Sequence, residues 1–261
     1  MLRICFLFLQ FAFNGPCSCE SGPKKIAYCL NKMILRNTVL NEIYYEMQLL
    51  NQSYSMSAYD YQKGVYNKLN ELTQSFDKII VLGGNHLACL PLYLYKNDTG
   101  STIICFDAHR DYINNSNLLT HASFLRYLYG SVNSKMYLFG FRDIINNNDS
   151  KYSPFDKEYP LSEINSFIKI IKEEKLEKSY LDIDMDVFDL SFFPYVTCKR
   201  ENGLGLDNFK KICSSVNFKK IDLISLSEYV PLFDQKNRGS AAIIELIMFF
   251  ISIWNEETYE T

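Results

Sequence analysis

Histidine is scarce in this chain: His86, His109 and His121 are the only three among 261 residues. Basic charge is not in excess either. Lysine and arginine number 27 against 30 acids, a net charge of −3, which leaves no electrostatic footprint for nucleic acid. No C-x-x-C pair occurs among the eight cysteines, and there is no internal repeat or low-complexity tract. Cys5, Cys89 and Cys105 lie in apolar runs, where a free thiol behaves as a small hydrophobe. Cys17 and Cys19 flank one serine, a poor half-site for zinc. A reduced, cytoplasmic protein with no membrane partner fits these features.

The amino terminus admits two readings. One charge at Arg3 followed by Ile4–Leu9 resembles a signal peptide, although the run is too short to span a bilayer. The favoured reading is a buried first strand, a turn at Asn14-Gly15-Pro16 and a helix opening near Gly22-Pro23. Proline suits a first helical turn, where its missing N–H would have no partner anyway.

Hydrophobic residues make up 48% of the chain, enough for one α/β core, and no linker divides it, so residues 1–261 are expected to form a single domain. Residues 38–76 have helical spacing at Leu40, Ile43, Met47 and Leu50. Buried strands are expected at 78–82, 102–106, 135–142, 179–188 and 221–226. Helices are expected at 86–94, 121–129, 161–175, 207–216 and 241–254, and residues 144–160 read as a polar surface excursion. The alternation predicts a three-layer αβα fold with a mainly parallel sheet, whose ligands lie beyond the carboxyl ends of the strands.

Those ends carry the chemistry. The run Ile103–Phe106 empties into Asp107-Ala108-His109-Arg110-Asp111, and in an extended chain the two acids and the imidazole share a face. Alone, this pattern could be a solvated loop. With His86 after Gly83-Gly84-Asn85, and Asp184 and Asp186 at another strand end, it becomes four carboxylates and two imidazoles at one mouth. Gathered there, the acids would repel one another unless cations offset them. Two divalent ions balance four carboxylates, and an oxygen and nitrogen donor set without thiolate suits Mn²⁺. Asp182 is expected to be a buried hydrogen-bond acceptor rather than a further ligand.

These motifs, in this order, resemble those of the ureohydrolases, the arginase and agmatinase family. Gly83-Gly84-Asn85-His86 resembles its G-G-D-H, and Asp107–Asp111 is its D-A-H-x-D. Thr120-His121-Ala122 with Arg126, Gly140-Phe141-Arg142-Asp143, and Asp184-Met185-Asp186-Val187-Phe188-Asp189 are similar to further family motifs, as is Glu20-Ser21-Gly22-Pro23 after the first strand. The resemblance implies an arginase-like fold and a dimanganese hydrolase that cleaves a guanidino group to urea and an amine. One ion would be held by His86, Asp107, Asp111 and Asp186, the other by Asp107, His109, Asp184 and Asp186. Glu228 would bind the guanidinium, Asp111 would protonate the departing amine, and His121 would shuttle protons beside the substrate. The substrate would be a small guanidino compound or an arginine-containing peptide whose arginine becomes ornithine, and a homo-oligomer would be in keeping with the family.

The chain departs from the family pattern at Asn85, where an acid is usual, and a weaker support for the His86 imidazole is the expected consequence. Leu190 replaces a proline, and the loop Tyr112–Leu119 is short. The alternatives are a deacetylase-like amide hydrolase with one metal, or a metal-binding homologue without turnover.

Overall fold

The computed structural model describes residues 1–11, 18–34, 44–51, 57–112, 119–142, 151–174 and 176–256. Eight strands form one sheet in which every pairing is parallel, in the order β2-β1-β3-β8-β7-β4-β5-β6. They are β1 Arg3–Gln10, β2 Tyr44–Asn51, β3 Lys78–Leu82, β4 Ile103–Phe106, β5 Met136–Phe141, β6 Lys157–Pro160, β7 Ser179–Asp184 and β8 Ile221–Ser227. The expected first strand is thus in place, buried between β2 and β3.

Strand alternation divides the core into two layers. Ile4, Phe6, Phe8, Ile80 and Leu82 face α1 Gly22–Ile34, α4 Ile164–Glu173, α5 Leu206–Cys213 and α6 Arg238–Glu256. Cys5, Leu7, Leu9, Ile79 and Val81 face α2 Ala58–Ser75, α3 Leu90–Asp98 and the short 3₁₀ turn Phe124–Leu128. Both faces of a parallel sheet are therefore covered, which is why strands such as β3 and β4 read as near-continuous apolar runs. Helix α6 is apolar enough over Arg238–Asn255 to cross a bilayer by length and composition, yet Ile243, Leu246, Ile247, Phe250 and Trp254 lie inside the core.

Several elements differ from expectation. The helical spacing of Met47 and Leu50 belongs to edge strand β2, which pairs in register with β1 from Arg3↔Tyr44 to Gln10↔Asn51. Without it β1 would expose a hydrophobic edge, and this pairing outweighs the local pattern. Leu40 and Ile43 lie outside the described residues, as do the 14–16 turn, Cys17 and most of the 112–119 loop. The polar excursion contains β6, a short charged strand of the kind that protects sheet edges. Residues 86–94 begin as 3₁₀ turn His86–Cys89 before α3 takes over. The helix expected over 121–129 is turn and 3₁₀ backbone, drawn toward the site by a bond from the Leu125 N–H to the Asp111 carbonyl at 3.0 Å.

Candidate metal centre

At the carboxyl ends of β3, β4, β7 and β8 the chain brings together all six predicted ligands and Glu228. The approach is close. A Cβ on Gly84 would stand 2.0 Å from the Phe11 carbonyl oxygen, so only glycine lets the β3 exit pass the β1 exit. The Asn85 N–H then bonds to that same carbonyl at 3.2 Å, and His86 turns inward.

His86 is buried and held from one side. Its Nε2 lies 2.7 Å from Asp182 Oδ2, while Nδ1 faces Asp111 at 2.8 Å and Asp107 and Asp184 at 3.2 Å. Asp182, fully buried in mid-strand, also accepts from the hydroxyls of Tyr93 at 2.5 Å and Tyr180 at 3.1 Å, and from Ser225. The expected role of Asp182 as a buried acceptor is therefore correct. The carboxylate against His86 Nε2 comes from β7 rather than from position 85.

The second cluster lies beside the first. His109 Nδ1 is 2.9 Å from Asp186 Oδ2 and 3.7 Å from Asp107 Oδ1. Asp186 sits in a turn rather than a strand. Its N–H bonds to Asp184 Oδ1 at 2.9 Å, and Arg142 clamps the turn by donating to the Asp186 carbonyl at 2.9 Å and the Val187 carbonyl at 3.0 Å. Asp111 has a positive φ of 44°. The chain beyond Phe106 is thus bent rather than extended, and strand alternation is not what makes Asp107, His109 and Asp111 converge.

The grouping differs from expectation at both Asp184 and Asp186. Atoms of His86, Asp107, Asp111 and Asp184 lie within 4.8 Å of one another, as do those of Asp107, His109 and Asp186. Asp184, not Asp186, accompanies His86, because it ends β7 beside that ring, whereas the turn carries Asp186 over to His109. Asp107 belongs to both groups.

The donor set fits cations. His86 Nδ1 and Asp107 Oδ2 are buried without a hydrogen-bonding partner although oxygens and nitrogen crowd together. With only the chain's own groups present, burial and the Asp107 charge push Asp111 up to about 7. Burial and the charges of Asp186 and Asp107 likewise raise Asp184. Burial opposes charge on the two imidazoles, yet the surrounding aspartates raise both, His109 to about 12. Such a cluster holds protons where divalent cations would otherwise supply positive charge.

Glu228 and His121 complete the mouth. Glu228 has a positive φ of 67°, and its N–H bonds to the Gly84 carbonyl at 2.8 Å. Its Oε1 accepts from the His86 backbone N–H at 2.7 Å and its Oε2 from Cys19 Sγ at 3.2 Å. His121 is half-buried, with its Nδ1 unpartnered, and burial followed by the His86 and His109 charges lowers its pKa. Sequence reasoning missed Cys19, the clamping role of Arg142, and Arg200, whose Nε lies 3.2 Å from His109 Nε2. Only Arg142 left a signal, its place in the G-x-R motif. A cavity of about 910 Å³ lies at the opposite, amino ends of β3 and β8, lined by Lys78, Lys96 and Asp222 among others, and holds none of these groups.

Comparison with known proteins agrees with this geometry. The chain is 27% identical over 208 residues to an agmatinase of Blochmanniella floridana, covering 74% of this chain and 67% of that protein. It superposes on formimidoylglutamase of Bacillus subtilis with a TM-score of 0.82 at 17% identity, covering 97% of this chain and 87% of that one. For arginase of Bacillus subtilis the TM-score is 0.79 at 19% identity, with coverage of 95% and 98%. The sequence pattern of the arginase family matches residues 13–252, and the chain belongs to that family, whose members are hydrolases of amidino C–N bonds.

Proposed function

We propose that the protein is a dinuclear amidinohydrolase that releases urea from a guanidino substrate, with Mn²⁺ as the cation in each of two adjacent sites. The observation that carries this reading is the sharing of Asp107 by two ligand groups directly beside Glu228. His86, Asp107, Asp111 and Asp184 would hold one ion, and Asp107, His109 and Asp186 the other. When bound, the pair of ions lowers the pKa of water and so supplies the nucleophile.

The chain's own groups do the rest. A carboxylate has about four acceptor sites. Glu228 accepts from the His86 N–H and from Cys19, which fix its plane, and its carboxylate would bind the paired N–H groups of a guanidinium. Asp111, buried against the His86 site, would take a proton from the attacking water and pass it to the departing amine. His121, half-buried at the rim, exchanges protons with solvent. The agmatinase similarity favours a small guanidine, and an arginine-containing peptide remains a competitor. The metal-binding homologue without turnover loses its motive, since Asp182 supplies the support that Asn85 does not. A reducing, cytoplasmic setting suits the seven thiols that are free among the described residues.

The test is urea release by Mn²⁺-loaded protein from a panel of guanidines and arginine peptides. Urea from at least one of them is expected. Complete metal loading with no urea from any would overturn the proposal.

A further inference from the structure

We propose that Arg200 and Lys199 form a subsite for the far end of the substrate, and that this end is a carboxylate. The inference rests on the guanidine-hydrolysing reading above and narrows it from any guanidine to a guanidino acid.

The segment Thr197–Arg200 passes across the mouth from the Glu228 side to the His109 side. At one end Thr197 Oγ1 lies 3.8 Å from Cys19 Sγ, itself bonded to Glu228. At the other, Arg200 reaches His109. Lys199 and Arg200 are both exposed, and neither pairs with a carboxylate among the described residues. The ammonium group of Lys199 rests 5.1 Å from the ring centre of Phe233, and Arg200 Nε lies 3.2 Å from the His109 imidazole. The neighbouring acid, Glu201, is exposed and forms no ion pair with either among the described residues. The charge of Arg200, at contact distance from His109 and adjoined in the chain by Lys199, repels an ammonium tail and attracts an anionic one.

Arginine is only a donor, and its planar fork matches the two oxygens of a carboxylate entering beside it.

The experiment uses full-length, Mn²⁺-loaded protein and three guanidines of matched length: 4-guanidinobutanoate, agmatine and uncharged butylguanidine. Urea release should give at least tenfold higher kcat/KM for the acid than for agmatine. Arg200→Gln should lower the acid-to-butylguanidine ratio at least tenfold, chiefly through KM. Arg200→Glu should invert the preference between acid and amine, and Arg200→Lys should restore part of it. A preference for agmatine in the unaltered protein, or a ratio unmoved by Arg200→Gln, would overturn the subsite. Thermal unfolding with the product acid 4-aminobutanoate or the product diamine putrescine reads the subsite without turnover. A larger upward shift with the acid that disappears in Arg200→Gln supports it, and equal shifts reject it. If no guanidine yields urea, the hydrolase reading fails, and these product shifts still decide whether the mouth prefers a carboxylate.

Discussion

Asp182 Oδ2 lies 2.7 Å from Nε2 of His86, so a carboxylate in the middle of β7 sets the ring that ends the β3 turn. The opposite nitrogen is thereby aimed at Asp107, Asp111 and Asp184. Orientation of a ligand imidazole through its second nitrogen is a general feature of metal sites, and its loss lowers affinity by about 10- to 100-fold. Asp182→Asn should weaken one Mn²⁺ by about that factor in a chelator competition, leaving the second ion bound more tightly. Asn85→Asp in the Asp182→Asn background should not restore it, because the ring does not lean on position 85.

Arg142 is expected to matter for the other ion. Its guanidinium fastens the Asp186 and Val187 carbonyls, and hydrogen bonds to charged groups are worth about 1.5–3 kcal/mol each. Arg142→Ala should lower unfolding free energy by about 2 kcal/mol or more and release the His109-side metal first. Denaturant titration with and without Mn²⁺ separates the two effects. Equal loss of both ions would place the clamp's role in general stability alone.

Gly84→Ala provides a backbone test. The new methyl group would meet the Phe11 carbonyl oxygen at 2.0 Å, and backbone cannot rotate aside as a flexible side chain would. Overpacking of this kind costs about 1–3 kcal/mol. A fall in the thermal midpoint accompanied by weaker binding of the His86-side metal is expected, and an unchanged midpoint would show that the β1 and β3 exits separate freely.

Acid sensitivity should arise at Asp234 as well as at the metal centre. Burial works against its charge, but the Ser240 N–H at 2.8 Å and the Tyr229 hydroxyl at 2.7 Å hold its pKa below the usual value. A depressed folded-state pKa contributes stability that is present above the unfolded value, near 3.9, and is lost as pH falls through the folded one. The stability gap between the native protein and Asp234→Asn, followed by denaturant unfolding, should therefore be constant from pH 7 to about 5 and close below about pH 4. A gap that widens toward acid would reverse the sign of this account.

The parts of the fold that were legible in the sequence are those where burial alone decides. Strands β3 and β4 are near-continuous apolar runs because both faces of each lie in the core, and His86 and Asp107 follow beyond their ends. Edge strands β2 and β6 were not legible. Tyr44–Leu50 is half-buried and charged in part, and only the register with β1 makes it a strand. The grouping of Asp184 with His86, and of Asp186 with His109 alone, has a similar cause. Residue spacing counts both as strand positions, but β7 stops at Asp184, and the next turn is held by Arg142, just beyond the end of β5. Arg200 carries no local signal at all, because its approach to His109 spans 91 positions in sequence.

The most direct test is the manganese content of the purified chain after equilibration with Mn²⁺ and removal of loosely bound ion, measured by elemental analysis. Two interlocking groups built on Asp107 predict about two ions per chain, and loss of both in Asp107→Ala. One ion per chain, or two that survive Asp107→Ala, would contradict the paired centre on which the proposed chemistry depends.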